Sequence, residues 1–190
     1  PARDLVGPGT AAVRITGFSD ILCGHCADFH ETVKLLRKKL PGESFAYEAR
    51  QFPLDGDCNP AVEVSAGDGV RCLAARAIIC VEKDWLPFAG VLFENRRWLT
   101  TKGIYDLASP FIARERLEGC VSSPETEAKL QDDIAWALQH DIQGTPLVLV
   151  NGREVPPSLQ FLFAIVLAEA DPEHPAFTVL PPPQPQARLR

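Results

Sequence analysis

Two thiols three positions apart, Cys23 and Cys26 in the run SDILCGHCADFH, are the residues of this chain best suited to chemistry. A Cys-x-x-Cys pair can anchor a haem, clamp a metal, staple a turn or cycle between dithiol and disulfide. Covalent haem attachment needs a His directly after the second Cys, and Ala27 stands there. Structural zinc needs two further ligands at matching spacing, yet no second Cys-x-x-Cys exists and His25 lies inside the pair, so no metal is expected. An inert staple suits the position poorly, because the pair opens a helix, where cysteines are reactive. The redox reading has a direct cause. A Cys at a helix N-terminus meets unpaired backbone N–H groups and the positive end of the helix dipole, which stabilise its thiolate and lower its pKa from about 8.5 by one to several units. Cys23 is therefore the expected nucleophile, and Cys26, one turn further in, the more buried resolving thiol. Gly24 and His25 separate the two, and a charged His25 would stabilise the reduced thiolate further, which makes the couple oxidising.

The elements that must hold this pair are legible around it. Residues 11–18, AAVRITGF, read as a buried strand. From Gly24 to Leu40 the apolar residues Phe29, Val33, Leu36 and Leu40 fall at spacings of 4, 3 and 4, one face of a helix that Pro41-Gly42 ends. Residues 44–52, SFAYEARQF, read as a second strand, so the thiols sit at a strand-to-helix turn inside a strand–helix–strand crossover. Between Leu54 and Gln143 the periodicity is helical, with apolar stripes over 70–82, 86–98 and 125–140, the last preceded by Ser123-Pro124, an N-cap followed by Pro at the first helical position. PLVLVNG over 146–152 then reads as a strand and an Asn-Gly hairpin turn, and a last helix is expected over 158–170. The organisation expected is a domain of residues 11–53 and 144–170, a helical insertion over 54–143 and an extended Pro-rich tail over 171–190.

With 46 % hydrophobic residues in 190, the chain can fill a sizeable core. A net charge of -6 leaves no basic stripe for a phosphate backbone, so nucleic acid is an unexpected partner. No apolar run reaches the 18 or more residues of a membrane span. The chain lacks an initiating Met and a signal-peptide pattern, and reads as a mature or excised fragment. Six Cys and no Met mildly favour an oxidising compartment. With no GxGxxG after a strand, no cofactor is expected, and electrons must leave to another domain or protein.

The other four cysteines, Cys58, Cys72, Cys80 and Cys120, allow three pairings. Cys72 and Cys80 share one expected helix and lie about 12 Å apart along it, beyond the roughly 7 Å reach of a bridge. Of the two pairings left, Cys58 with Cys72 and Cys80 with Cys120 is preferred, because Cys58 lies in the loop feeding the helix near whose start Cys72 stands. Four buried reduced thiols are the alternative.

The order of elements around CGHC, with Gly144-Thr145-Pro146 before PLVLVNG some 120 residues later, resembles the thioredoxin superfamily, and its size and helical insertion resemble the DsbA-like extracytoplasmic thiol-disulfide oxidoreductases. The resemblance covers roughly residues 11–170 and implies an α/β thioredoxin fold with an inserted helical subdomain. It implies that Pro146 is cis, lies against the Cys23–Cys26 pair and lets the Thr145 backbone bind a peptide. FPLDGDCN over 52–59 and LFEN over 92–95 further resemble DsbA-like domains, including those attached to vitamin K epoxide reductase-type membrane proteins. On this reading the protein is a periplasmic or otherwise extracytoplasmic monomer, which a longer chain could tether to a membrane, that oxidises thiols of unfolded or secreted proteins. A vitamin K epoxide reductase-like or DsbB-like membrane partner re-oxidises it. Gly24-His25 and Thr145 also resemble disulfide isomerases, so a reductase or isomerase is the alternative, although the N-terminal dimerisation domain of DsbC-like isomerases is not expected in the roughly ten residues before the first strand. A non-enzymatic zinc or structural module is the third reading. Asp20 and Glu48 could relay protons to Cys26, but solvated acids are the preferred reading. His30, His140 and His174 have no partner at catalytic spacing and are expected at the surface. Trp85, Phe88, Phe93 and Trp98 are expected in the core.

Overall fold

The computed structural model describes residues 5–171, 173 and 174. Four strands form one sheet: β1 (Arg14–Ser19), β2 (Ala46–Gln51), β3 (Leu147–Val150) and β4 (Arg153–Glu154), in the order β2-β1-β3-β4. β2 runs parallel to β1, joined by α1 (Gly24–Lys39), whereas β3 runs antiparallel to β1 and turns through Asn151-Gly152 into β4. Asn151 and Gly152 both have positive φ, the conformation a tight hairpin demands. Asn151 also ties the hairpin to the strand start: its Oδ1 accepts from the Arg14 N–H at 2.8 Å and its amide donates to the Ala12 carbonyl at 3.0 Å.

The alternation of the strands sorts the core. Ile15 on β1 with Val148 and Val150 on β3 joins the larger apolar cluster, which contains Phe29, Val33 and Leu36 of α1. Phe18, Leu147 and Leu149 belong to a second cluster with Leu130, Ile134 and Ala137 of α6 (Pro124–Gln139). All four β3 residues are buried, as a strand covered on both faces requires. Gly17 is needed at the first of these contacts: a Cβ there would lie 2.5 Å from Cε1 of Phe29, so the missing side chain lets α1 settle on the sheet.

Between β2 and β3 lie α2 (Val70–Val81), α3 (Trp85–Asn95), α4 (Thr101–Ala108), α5 (Arg114–Val121) and α6, and after β4 comes α7 (Leu159–Leu167). Ser123 caps α6, accepting from the Thr126 N–H, with Pro124 at the helix start. Cys58 is bridged to Cys72, and Cys80 to Cys120, so one bridge closes the loop entering α2 and the other ties α2 to α5. The insertion also reaches the sheet by charge: Asp133 on α6 pairs with Arg50 and accepts from the Gln51 N–H at 3.0 Å, and Glu48 pairs with Arg14 and Arg50. At the outer side of β2, Val6 exchanges both backbone hydrogen bonds with Tyr47.

Several expectations need correcting. Strand β1 starts at Arg14 rather than residue 11, and the helical stripe over 86–98 ends as α-helix at Asn95, followed by a single tighter turn. Trp98, on that turn, is 87 % exposed, whereas Trp85, Phe88 and Phe93 are buried. Glu48 and Asp20 are fully buried ion-pair partners, not solvated acids, because arginines from elsewhere in the fold reach them. His30 is buried on the inner face of α1, and His140 is half-buried against Trp136. The tail expected over 171–190 lies almost wholly outside the described residues.

Candidate active site

The two free thiols sit where β1 hands over to α1. Asp20 organises that turn. Its carboxylate, 0 % exposed, accepts from the Leu22 N–H and the Leu54 N–H, each at 2.9 Å, and pairs with Arg71 of α2; its carbonyl accepts from the Cys23 N–H at 3.2 Å. One side chain thereby joins the end of the sheet, the loop after β2 and the start of α2. Cys23 is the N-cap of α1: its backbone is extended and its Sγ accepts from the Cys26 N–H at 3.1 Å. A cap position held by Asp, Ser or Asn in most helices is held here by sulfur, an acceptor role that an anion fills best.

Cys23 is partly accessible, and its S–H donates to the Thr145 carbonyl at 3.4 Å. The Thr145-Pro146 bond is cis, and the Thr145 carbonyl meets the Cys23 thiol across 122 residues of sequence. Cys26 is 0 % exposed. Burial, then its hydrogen bond with Cys23, pushes its thiol well above the ordinary thiol range. The pair is thus unequal: one sulfur is reachable and capped by an N–H, the other is buried and holds its proton. Gly24 is exposed, with open space where a Cβ would lie. The His25 side chain is 90 % exposed and its Nδ1 lies 3.8 Å from Oδ2 of Asp28. Among the described residues no cluster of three or more His, Cys, Asp or Glu could hold a metal ion.

Residues 2–162 match the thioredoxin family, in the branch described as Thioredoxin_4. The chain belongs to the thioredoxin family. Its structural neighbours have the same fold with the same kind of helical insertion. BdbD from Bacillus subtilis, in its oxidised form, superposes with a TM-score of 0.71 at 20 % identity, covering 88 % of this chain and 92 % of that one. The thiol-disulfide exchange protein alpha-DsbA2 from Wolbachia pipientis gives 0.70 at 17 % identity, covering 86 % and 85 %. A thioredoxin-like oxidoreductase from Silicibacter pomeroyi DSS-3 gives 0.68 at 20 % identity, covering 87 % and 90 %. No curated protein sequence matches the chain. The fold is the DsbA-like form of the thioredoxin fold.

The structure places Thr145 and Pro146 beside Cys23 and Cys26, and it adds Asp20, Arg71 and the Leu54 N–H, whose part sequence reasoning misses. The ion pair spans 51 residues and no local pattern announces it. His30 had a readable signal. It stands four residues after Cys26 and three before Val33, on the apolar face of α1.

Proposed function

We propose that this protein is an extracytoplasmic thiol-disulfide oxidoreductase that oxidises thiols in protein substrates through a Cys23–Cys26 disulfide. The observation that carries the reading is the inequality of the two sulfurs: Cys23 is accessible, at the N-cap of α1 and against the Thr145 carbonyl, while Cys26 is buried behind it. In the oxidised form a substrate thiolate attacks Cys23 Sγ, the Cys23–Cys26 bond breaks, and Cys26 leaves with the electron pair and takes up a proton. A second substrate thiolate then attacks the substrate sulfur of the mixed disulfide and releases Cys23. The substrate gains a disulfide, and two electrons stay on the pair.

The half-buried edge at Thr145-Pro146 is the docking site for the substrate backbone in this reading, with the substrate sulfur over Cys23. In this reading the electrons pass to a membrane partner of the vitamin K epoxide reductase or DsbB kind. No helix among the described residues is long and apolar enough to cross a membrane. The test is oxidative refolding. The purified, pre-oxidised protein is mixed with a reduced, unfolded, disulfide-containing substrate without oxygen, and substrate thiols are counted. Stoichiometric loss of two substrate thiols per protein supports the reading, and no loss, or reduction of a pre-formed substrate disulfide by the dithiol form instead, refutes it.

A further inference from the structure

His30 is the one buried histidine with no assigned task. It is 4 % exposed, its Nε2 has no hydrogen-bond partner among the described residues, and its ring lies against Phe93 with centroids 5.3 Å apart. A neutral ring of this kind costs stability unless a polar partner is supplied. Its position is specific in three ways. First, it follows Cys26 by four residues on α1, so the two side chains share one face of the helix. Second, Cys26 and His30 line the same small cavity of about 20 Å³, together with Ser19, Tyr47 and Gln51. That volume fits one water molecule, and its lining offers the several polar partners such a water needs. Third, His30 also lines a surface pocket of about 290 Å³ on its other side, with Lys34, Gly90 and Glu94.

The ring therefore stands between the interior space of the resolving thiol and solvent. Gly90 of α3 makes room for it: a Cβ built there would lie 3.0 Å from Nε2. We propose that His30 is the proton-relay residue of the active site, passing the Cys26 proton between the inner cavity and the surface pocket. The inference rests on the oxidoreductase reading, since only a thiol that changes protonation at each turnover needs a relay. The step balances simply. When Cys26 closes on a mixed disulfide at Cys23, the Cys26 proton moves through a water to one ring nitrogen, and the other nitrogen releases a proton to the surface pocket. The Cys26 Sγ–Cys23 Sγ bond forms, the Cys23 Sγ–substrate sulfur bond breaks, and the departing thiolate is protonated by solvent. Burial holds His30 neutral, with its pKa lowered to about 4, so one nitrogen is free to accept at neutral pH. The charged and titratable groups around it are Glu31 and Lys34 on its own helix, Glu94 on α3 and Tyr47 on β2.

The test isolates ring closure. The full chain is loaded with glutathione as a mixed disulfide at Cys23, and glutathione release is followed at pH 7 for wild type, His30→Leu, His30→Gln and His30→Ala. Removing a general acid–base group slows its step by about 10² or more, and neither Leu nor Gln can carry a proton. A slowing of at least about tenfold in a folded Leu or Gln variant, with recovery of rate when imidazole is added to His30→Ala, is the expected result. Imidazole fits the surface pocket, and a merely structural loss would not respond to it. Closure within tenfold of wild type in the folded variants, or no response to imidazole, overturns the proposal. Failure of the wild type itself to release glutathione would instead overturn the oxidoreductase reading, so the two outcomes are distinct.

Discussion

Replacing Asp20 by Ala tests whether one buried carboxylate sets the geometry of the thiol turn. The substitution leaves the Leu22 and Leu54 N–H groups without their acceptor and takes the counter-charge from Arg71, which is 23 % exposed. Breaking a buried pair by removing one partner costs about 3–5 kcal/mol, and the partial access of Arg71 to water places this case at the lower end, about 3 kcal/mol. For a chain of this length each kcal/mol is worth about 2–4 °C, so Tm should fall by roughly 6–12 °C. Arg71→Ala should cost less, about 1–2 kcal/mol, because the carboxylate keeps both backbone donors. The double variant should sit close to Asp20→Ala alone, since the arginine has nothing left to lose. Urea unfolding of the four proteins, with the Cys58–Cys72 and Cys80–Cys120 bridges intact, closes the cycle. A loss under about 1 kcal/mol for Asp20→Ala, or a double variant equal to the sum of the singles, would refute the anchoring role.

Cys26→Ser should accumulate mixed disulfides at Cys23 that survive non-reducing electrophoresis, whereas Cys23→Ser should accumulate none; the reverse pattern exchanges their roles. Gly24→Ala should be tolerated and raise stability by about 0.5–1 kcal/mol in thermal unfolding, because its Cβ meets nothing and Gly is a poor helix former. Gly17→Ala should cost about 1–3 kcal/mol, read in the same assay, since its Cβ would collide with the Phe29 ring. Stability should also depend on His30 through pH. Its folded pKa is depressed to about 4 from 6.5, so the unfolded chain binds the extra proton first, and stability present above about pH 6.5 is lost as pH falls towards 4. The loss reaches at most roughly 3 kcal/mol from this group, and urea titrations at pH 4.5 and 7 should show a smaller loss in His30→Leu than in wild type.

The strand–helix–strand unit around CGHC was legible because apolar spacing, Pro41-Gly42 and the Asn-Gly turn all act over a few residues. The helices α4 and α5 were not resolved as elements. Each is eight residues long, barely two turns, too short for a periodic stripe to stand out. Trp98 shows the limit of periodicity: it continues the stripe of α3, but the helix stops at Asn95 and the tighter turn that follows carries Trp98 out to solvent. The placement of the two thiols at a helix start was legible. What surrounds them was less so. Asp20, Glu48 and Asp133 are paired with arginines 51, 34 or 2, and 83 residues away in sequence, and only the folded chain brings those charges together.

An open sheet edge invites any extended strand to pair with it. The edges of this sheet leave little to copy. Along the outer side of β2 the outward-facing backbone positions are Tyr47, Ala49 and Gln51; Val6 occupies the first and the Asp133 carboxylate accepts from the N–H of the last, so among the described residues Ala49 alone is left between them. The opposite edge, β4, is two exposed residues of opposite charge, Arg153 and Glu154. Two residues cannot seed a ladder. The same Asp133 that ties the helical insertion to the sheet thereby also closes the last outward-facing position of its β2 edge.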